Sequence, residues 1–199
     1  ESLVAENAAL KEELAALEED ARLADSIARE NDRLRALLGL KEANEDFSLV
    51  DCYIISRSSQ QWSRTFTVNR GTTSGINPGM CAVTANGEVV GLVSEAGSNY
   101  AIIKSVLDSS LEISATISSS GYNGMVQGGY ATGMDGLLRM DYLPSSSVIR
   151  NNDQVVTSGS TVYPRNLIIG YVIDAGFDDT GVAKYALLEP AVNIGSIEQ

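Results

Sequence analysis

Residues 89–97 read VVGLVSEAG, and residues 168–176 read IIGYVIDAG. In both copies two apolar β-branched residues precede a glycine, and an Ala-Gly pair follows at the same distance. Such runs predict β-strands, and a glycine inside a strand is typical of a bulge or a barrel corner, where a side chain would obstruct closure. Each copy also follows a run that ends in Val-Thr, at residues 83–84 and 156–157. The repeat therefore predicts two small β-barrels, one around each copy.

The sequence around both copies is typical of short strands. Leu111, Ile113, Ala115 and Ile117 alternate with polar residues, which predicts a half-buried strand. Further strand-like runs follow one another at spacings of roughly 8 to 12 residues, with Gly, Asn, Pro and Ser between them. We therefore expect a mainly β region, with a first barrel over residues 49–118 and a second barrel over residues 119–199.

The N-terminal residues 1–39 follow a different period. Their apolar residues recur at alternating steps of three and four, the heptad spacing of a coiled coil, with one slip between Ala24 and Ile27. A buried Asn at an a position is best satisfied by the same Asn of an in-register partner, so Asn7 and Asn31 favour a parallel homodimer. The predicted dimer seam consists of Leu3, Asn7, Leu10, Leu14, Leu17, Ala21, Ala24, Ile27, Asn31, Leu34 and Leu38.

Gly39 is typical of the position just after a helix, so we expect the coiled coil to end there and residues 40–48 to form a linker. An alternative is an amphipathic helix packed on its own β region. The acidic residues at positions 12, 13 and 18–20 leave only a narrow apolar stripe, which favours the coiled coil.

The composition argues against several classes of function. A net charge of −12 argues against nucleic acid and anionic lipid surfaces, since both require a basic face. The chain has no histidine, which removes the commonest general base and the commonest transition-metal ligand. Cys52 and Cys81 form no CxxC motif, and their spacing leaves open whether they are two buried thiols or one disulfide. We expect no metal and no cofactor.

Several motifs resemble one known family over nearly the whole chain. The clearest are DQVVTSG at residues 153–159, Tyr163-Pro164, LIIGYV at 167–172 and Glu189-Pro190-Ala191, preceded by ENDRLRALLGL at 30–40, VNRG at 68–71 and GEVVG at 87–91. In this order they are similar to the bacterial rod shape-determining MreC family. The chain has Tyr163 where the family commonly has Phe, and Asn152 and Asn166 where it has Gly. Asn is the best substitute for Gly at positive φ, so we expect these turns to be kept.

The resemblance implies a scaffold of the cell-wall elongation machinery. It implies β-barrels on the extracytoplasmic face of the cytoplasmic membrane, in the periplasm where an outer membrane is present. The implied partners are penicillin-binding proteins and rod-shape membrane proteins, besides a second copy of the chain. The chain begins at Glu1, and we expect it to be a piece of a longer protein whose N-terminal anchor alone meets the membrane.

Three groups of residues could in principle support chemistry. Ser158 stands in a Thr-Ser-Gly-Ser context, but without histidine it lacks a base, and Lys104 or Lys184 has no supporting spacing. Asp174, Asp178 and Asp179 lack the ligand spacing of an EF-hand loop, so we expect a solvated hairpin loop. The glycines between Gly121 and Gly136 are predicted to form hairpin turns. The chain is predicted not to be an enzyme.

Function is instead expected in protein binding. Four tyrosines lie in or beside the glycine-rich loops, Tyr122, Tyr130, Tyr142 and Tyr163, and tyrosine is favoured at binding surfaces. Of these, Tyr122 and Tyr130 are the candidate partner-binding residues. Half-buried barrel edges are the competing interpretation. Two other classes were considered for the whole chain. A periplasmic adaptor of an efflux or secretion system also joins coiled coils to β domains but usually needs a returning helix, and a protease is disfavoured by the missing histidine.

Overall fold

The computed structural model describes residues 2–43, 47–60, 63–129, 136–195 and 197. The chain divides into two compact units between Phe47 and Ser48. The first contains one helix, α1, over Ser2–Ala43, 42 residues long. This helix continues past Gly39, the predicted end. Gly39 does not adopt a left-handed φ, and Lys41, Glu42 and Ala43 are good helix formers that extend the helix by another turn.

The second unit is built from antiparallel strands. They are β1 Ile54–Gln60, β2 Ser63–Val68, β3 Cys81–Val83, β4 Val89–Ala96, β5 Ala101–Ser105, β6 Glu112–Ile117, β7 Asn123–Gly128, β8 Leu138–Pro144, β9 Gln154–Thr157, β10 Ile168–Phe177 and β11 Ala183–Pro190, with a short 3₁₀ helix over Thr72–Ser74. Strands β1 to β5 form an open sheet in the order β1-β2-β5-β4-β3. Strands β6 to β11 form a closed barrel in the order β10-β11-β8-β7-β6-β9.

The mainly β class with an N-terminal helix is therefore confirmed. The second predicted barrel is closed, whereas the strands of the first form an open five-stranded sheet with β1 and β3 at its edges. Both parts have an apolar interior. Phe66, Val68 and Val89 are buried in the sheet, and the barrel interior is filled by side chains that include Ile113, Ile117, Leu138, Met140, Leu143, Ile169 and Leu188.

The division between sheet and barrel differs from the predicted boundary at residue 118. Strand β6 was assigned to the first barrel, but it pairs with β7 and β9 and belongs to the closed barrel. Its alternating residues Ile113, Ala115 and Ile117 are buried in the barrel interior. Alternation reveals that one face of a strand is buried, but not against which sheet, so the sequence could not place the boundary between Ser105 and Glu112.

The repeated glycines have the same structural reason in both copies. A Cβ atom on Gly91 in β4 would lie 1.9 Å from the carbonyl oxygen of Lys104 in β5. A Cβ atom on Gly170 in β10 would lie 2.2 Å from the carbonyl oxygen of Glu189 in β11. Register shifts lie beside both glycines, as the predicted bulges require. The two strands thus let a neighbouring backbone approach closely, which a side chain would prevent.

Two turns confirm the expected exchange of glycine for asparagine. Asn152 and Asn166 both have φ 67°, in the left-handed region. Asn152 donates its N–H to the Val172 carbonyl, and Asn166 donates to the Thr157 carbonyl. The turns before β9 and β10 are therefore retained without glycine, because Asn tolerates this conformation better than other side chains.

Candidate functional site

The helix presents an uncovered apolar stripe. Leu14, Leu17, Ile27, Leu34 and Leu38 have between 47% and 61% of their side-chain area exposed, and Asn7, Ala21, Ala24 and Asn31 of the predicted seam are exposed with them. The side chains of Leu3 and Leu10 lie outside the described residues. Beside the stripe, Arg33 and Glu30 form an ion pair of 2.7 Å one turn apart. Leucines exposed in a row along a helix are the surface that a coiled coil buries.

Residues 124–128 of the glycine-rich segment are also strand-like in the sequence, and the structure has them as strand β7 rather than as hairpin turns. Gly124 and Gly128 lie within β7, where a Cβ atom would meet the Asp141 carbonyl at 2.6 Å and the Val106 carbonyl at 2.3 Å. Gly121, at φ 74°, does lie in a turn. The glycines of β7 are thus required by close backbone contacts rather than by turn geometry.

Of the two candidate tyrosines in this segment, the structure describes Tyr122. Tyr122 is half-buried, and its backbone carbonyl accepts the N–H of Ile117 at 2.9 Å. Tyr130 lies outside the described residues. Tyr122 therefore sits at the mouth of the β6–β7 hairpin with part of its ring available.

Tyr142, another of the tyrosines in or beside the glycine-rich loops, is much more exposed than Tyr122. Tyr142 in β8 is 78% exposed and has φ 64°, unlike any other non-glycine residue described apart from two asparagines. It lies where β8 and β11 shift register, between Met140 and Leu143, whose side chains are both buried. The break in alternation, with apolar residues at 138, 140 and 143, was the signal in the sequence for this bulge.

The surroundings of Tyr142 are aromatic and charged. The Arg139 guanidinium lies 4.3 Å from the centre of the Tyr185 ring and donates to the Asp141 carboxylate at 2.7 Å. On the neighbouring hairpin Phe177 is 56% exposed, and the Lys184 ammonium lies 5.2 Å from the centre of its ring. Tyr185, which lies under Arg139, is half-buried, and the exposed rings here are those of Tyr142 and Phe177. Aromatic residues and arginine are the residue types that protein interfaces favour.

Ser158 has the contacts of a structural residue. Its hydroxyl donates to the Ser114 hydroxyl at 2.8 Å, and its carbonyl accepts from the Arg165 guanidinium at 3.1 Å. The two lysines considered as bases have other partners, since Lys104 donates to the Ser110 hydroxyl and Lys184 to the Ser147 carbonyl. The geometry thus holds Ser158 at the end of β9 with no base directed at it among these contacts.

The acidic loop between β10 and β11 is organised by its own backbone. The Thr180 hydroxyl donates to the Asp178 carboxylate at 2.8 Å, and the N–H groups of Val182 and Ala183 also donate to it. The hydrogen bond from Thr180 keeps the pKa of Asp178 below its ordinary value. Within the described ranges, no three acidic, Cys or His side chains cluster so that they could hold a metal ion.

The two cysteines are free and half-buried. Burial raises the pKa of Cys81 to about 12 and, to a lesser extent, that of Cys52, so both thiols are protonated at neutral pH. The ring of Tyr163 is buried near Cys81, and its hydroxyl, which has no hydrogen-bond partner among the described residues, has a raised pKa because of burial. Neither thiol has the lowered pKa of a reactive cysteine.

A cleft of about 510 Å³ lies where the sheet and the barrel meet. It is lined by Arg64 and Leu107 from the sheet side and by Leu137, Tyr171 and Glu189 from the barrel, with residues 190–195 along its edge. In the same region the Arg57 guanidinium donates to the carbonyls of Ile194 and Gly195. The cleft joins surfaces of both β parts but holds no nucleophile with a base.

Among the helices that the structure describes, none has a stretch apolar and long enough to cross a membrane.

Comparisons with known proteins agree with the motifs. Residues 54–199 match the family model for the barrel core of the rod shape-determining protein MreC. The chain is 26% identical over 195 residues to the cell shape-determining protein MreC of Listeria monocytogenes, covering 95% of this chain and 64% of that protein. It is likewise 26% identical over 197 residues to the Bacillus subtilis MreC, of which it covers 68%. The chain thus spans about two thirds of the length of these relatives.

Solved structures share the fold. One named MreC superposes with a TM-score of 0.73 at 20% identity, covering 86% of this chain and 96% of that one. The major periplasmic domain of the cell shape-determining filament MreC gives a TM-score of 0.60 at 22% identity, with 72% and 89% covered. The MreC of a complex with penicillin-binding protein PBP2 from Helicobacter pylori gives 0.57 at 18% identity, with 73% and 88% covered. At these identities the likeness concerns the fold alone.

Proposed function

The chain belongs to the MreC family of rod shape-determining proteins, and from this premise we propose that it is a non-catalytic scaffold of the bacterial cell-wall elongation machinery. The observation that carries the proposal is the match of residues 54–199 to the family's barrel core. The same match favours this scaffold over a periplasmic adaptor. The polar side chains weighed for catalysis agree with it, since Ser158 donates to Ser114 and both candidate lysines are hydrogen-bonded elsewhere.

The proposed partner is a penicillin-binding protein of cell-wall elongation. Support comes from the similar fold of the Helicobacter pylori MreC, which forms a complex with PBP2. The proposed location of the β unit is supported by the proposed partner and by the similar fold of the major periplasmic domain of another MreC. We place the β unit on the extracytoplasmic face of the cytoplasmic membrane, together with rod-shape membrane proteins.

The helix is proposed to act as a parallel dimerising coiled coil. Its exposed leucines Leu14, Leu17, Leu34 and Leu38 would be buried in such a dimer, and Asn7 and Asn31 would fix the register. Pairing two β units on one stalk raises the effective concentration of the second binding site once the first is engaged. The coil thus supplies valency, and the β unit supplies recognition.

Within the β unit, we propose that Tyr142 anchors the partner. Its backbone is held in a left-handed conformation that disfavours a bulky side chain by about 1–2 kcal/mol, while its ring is 78% exposed. A Gly or Asn would relieve this cost, so an exposed Tyr at this position is explained by use of the ring. Tyr122, which is half-buried beside the turn between β6 and β7, is a further candidate, and Tyr130, which lies outside the described residues, stays a candidate from the sequence.

Cell shape tests the proposed role. Cells depleted of this protein are supplied with the anchored full-length protein, with a version lacking residues 2–43, or with Ser158→Ala. We expect the full-length protein and Ser158→Ala to restore rods, and the version without the coil to restore them less well. Spherical cells with Ser158→Ala at normal protein levels would contradict a non-catalytic role.

A further inference from the structure

Strand β1 forms one edge of the five-stranded sheet, and none of the strands that the structure describes pairs with its outer side. It pairs only with β2, through regular consecutive pairs from Ser56↔Thr67 to Gln60↔Ser63. The other edge, β3, is three residues long, and the hairpin beside it is joined to the barrel by the Glu88↔Ile168 bridge. Among the described residues, no backbone hydrogen bond from outside the sheet reaches residues 56–60. An open edge of this length presents unpaired N–H and C=O groups that accept a further strand.

Between Ser56 and Gln60 the edge carries little of the usual protection against pairing, and the register shift of β1 lies before this stretch, between Ile54 and Ser56. Proteins commonly guard edge strands with charged side chains or proline. Between Ser56 and Gln60 the only charged residue is Arg57, and there is no proline. The Arg57 guanidinium is drawn toward residues 194 and 195, whose carbonyls accept hydrogen bonds from it at 3.1 and 2.9 Å, and it lies 5.7 Å from the centre of the Phe66 ring. Next to the regular stretch, Ile55 is 60% exposed.

We propose that β1 pairs with β1 of a second copy of this chain, in a two-fold antiparallel arrangement that continues the sheet across the dimer. The occupant is chosen because β1 follows the proposed coiled coil closely in the chain. Residues 44 to 53, ten in all, separate Ala43 from Ile54. They extend at most about 35 Å, and parallel coiled-coil helices lie about 10 Å apart, so a dimer tethers its two β1 strands near each other. This inference rests on the proposed dimer.

Symmetry and charge restrict the register. Two identical strands related by a two-fold axis pair antiparallel, with one position facing itself. If Ser58, the middle of the regular stretch, lies on the axis, Arg57 faces Ser59 of the partner subunit and no like charges meet. If Arg57 lay on the axis, the two guanidinium groups would face each other, which is destabilising in a cross-strand pair. Centring on Ser58 pairs all of the regular stretch from Ser56 to Gln60 and keeps the two arginines apart, so we place the axis there.

Cysteine crosslinking measures this register directly. The test uses the whole chain with Cys52→Ser and Cys81→Ala, and adds one cysteine at a time by Ser58→Cys, Ser56→Cys, Asn31→Cys or Ser119→Cys. In the proposed pairing the Cα atoms of the two residues 58 are about 5 Å apart, within disulfide reach, whereas the two residues 56 are about 14 Å apart. We expect Ser58→Cys to crosslink roughly tenfold faster than Ser56→Cys, and the remote Ser119→Cys to crosslink slowest. Circular dichroism confirms that each variant is folded.

The Asn31→Cys variant distinguishes a failure of the strand pairing from a failure of the coiled-coil dimer. Asn31→Cys lies in the seam of the helix and should crosslink whenever the coiled coil forms. If Asn31→Cys crosslinks while Ser58→Cys is no faster than Ser56→Cys, the strand pairing is wrong and the coiled coil stands. Equal rates at 56 and 58 are what two tethered but unpaired strands would give. If Asn31→Cys does not crosslink, the proposed dimer itself fails.

Discussion

Glu88 and Ile168 form a parallel β-bridge that joins the five-stranded sheet to the six-stranded barrel. The N–H of Ile168 donates to the carbonyl of Gly87 at 2.9 Å. Ile168 opens the second copy of the repeated motif, and Glu88 immediately precedes the first. The two copies of the motif therefore lie in the closely packed strands β4 and β10. They also lie at the place where the sheet and the barrel are joined. We expect residues 48–199 to unfold in one cooperative transition, because both parts form one compact unit.

Replacing either repeated glycine by alanine should destabilise the β unit. The added Cβ would lie 1.9 Å from the Lys104 carbonyl oxygen in Gly91→Ala and 2.2 Å from the Glu189 carbonyl oxygen in Gly170→Ala. Because backbone atoms cannot move aside as a flexible side chain does, we expect each change to reduce the free energy of unfolding by roughly 3 kcal/mol, measured by urea denaturation. Gly39→Ala, in the helix with nothing within 4 Å, is the control and should be neutral or stabilising. Wild-type stability for both strand variants would disprove the close approach.

Tyr142 should show opposite effects on stability and on binding. Tyr142→Asn relieves the left-handed strain, so we expect the free energy of unfolding to rise by about 1 kcal/mol while capture of the penicillin-binding protein falls. Tyr100→Asn is the matched control, since Tyr100 is 46% exposed in the connection between β4 and β5 and has no positive φ. Capture is measured with fluorescent β-lactam on the retained protein. Unchanged capture by Tyr142→Asn would place the contact elsewhere, and Tyr122→Ala with Tyr130→Ala would then be tested together.

The exposure of Tyr142 also illustrates what the sequence could and could not predict. Local patterns sufficed where the cause is local: the heptad leucines lie on one helix, and Asn152 and Asn166 adopt the expected positive φ. The repeated glycines were likewise placed in bulged strands. In contrast, the bulge that turns Tyr142 outward arises from the register between β8 and β11, whose residues lie about 45 positions apart in the chain.

The same reasoning explains the differing boundaries. The strand over Glu112–Ile117 has an alternation that fits either β part, and only its pairing with β7 and β9 assigns it to the barrel. Gly39 is predicted to end the helix because glycine commonly does, but four good helix formers, residues 40–43, follow it. Glycine permits a helix end without requiring one.

Cys81 should make the β unit sensitive to alkaline pH. Burial raises the pKa of its thiol to about 12, whereas in the unfolded chain it ionises at about 8.5. Only the unfolded state loses this proton between those values, so the stabilisation is complete below about pH 8.5 and is lost as pH rises toward 12. The free energy of unfolding should fall by up to about 1.4 kcal/mol per pH unit in this window, and less steeply in Cys81→Ala.

Cys52→Ala is the control, with a smaller effect because the pKa of Cys52 is raised less. Parallel pH profiles for wild type and Cys81→Ala would show that Cys81 is accessible to solvent.

The two asparagines of the proposed seam should lower the stability of the dimer and fix its register. Changing Asn7 and Asn31 together to Leu should raise the thermal stability of the dimer, because apolar a positions pack better, and should relax its register or oligomer number. Sedimentation equilibrium measures the mass, and the matched change Asp32→Leu, beside the seam position, should leave the dimer as it is. A wild-type chain that sediments as a monomer at tens of micromolar would contradict the seam.

The central claim is that the β unit recognises a penicillin-binding protein and the coil pairs two such units. Its most direct test is capture of β-lactam-labelled protein from membranes of the same organism, comparing the immobilised whole chain with residues 48–199 alone. We expect both to retain one labelled penicillin-binding protein, and the whole chain to retain it at roughly 100-fold lower concentration through bivalency. If neither retains any labelled protein above the level of an unrelated coiled coil, the proposed function is wrong.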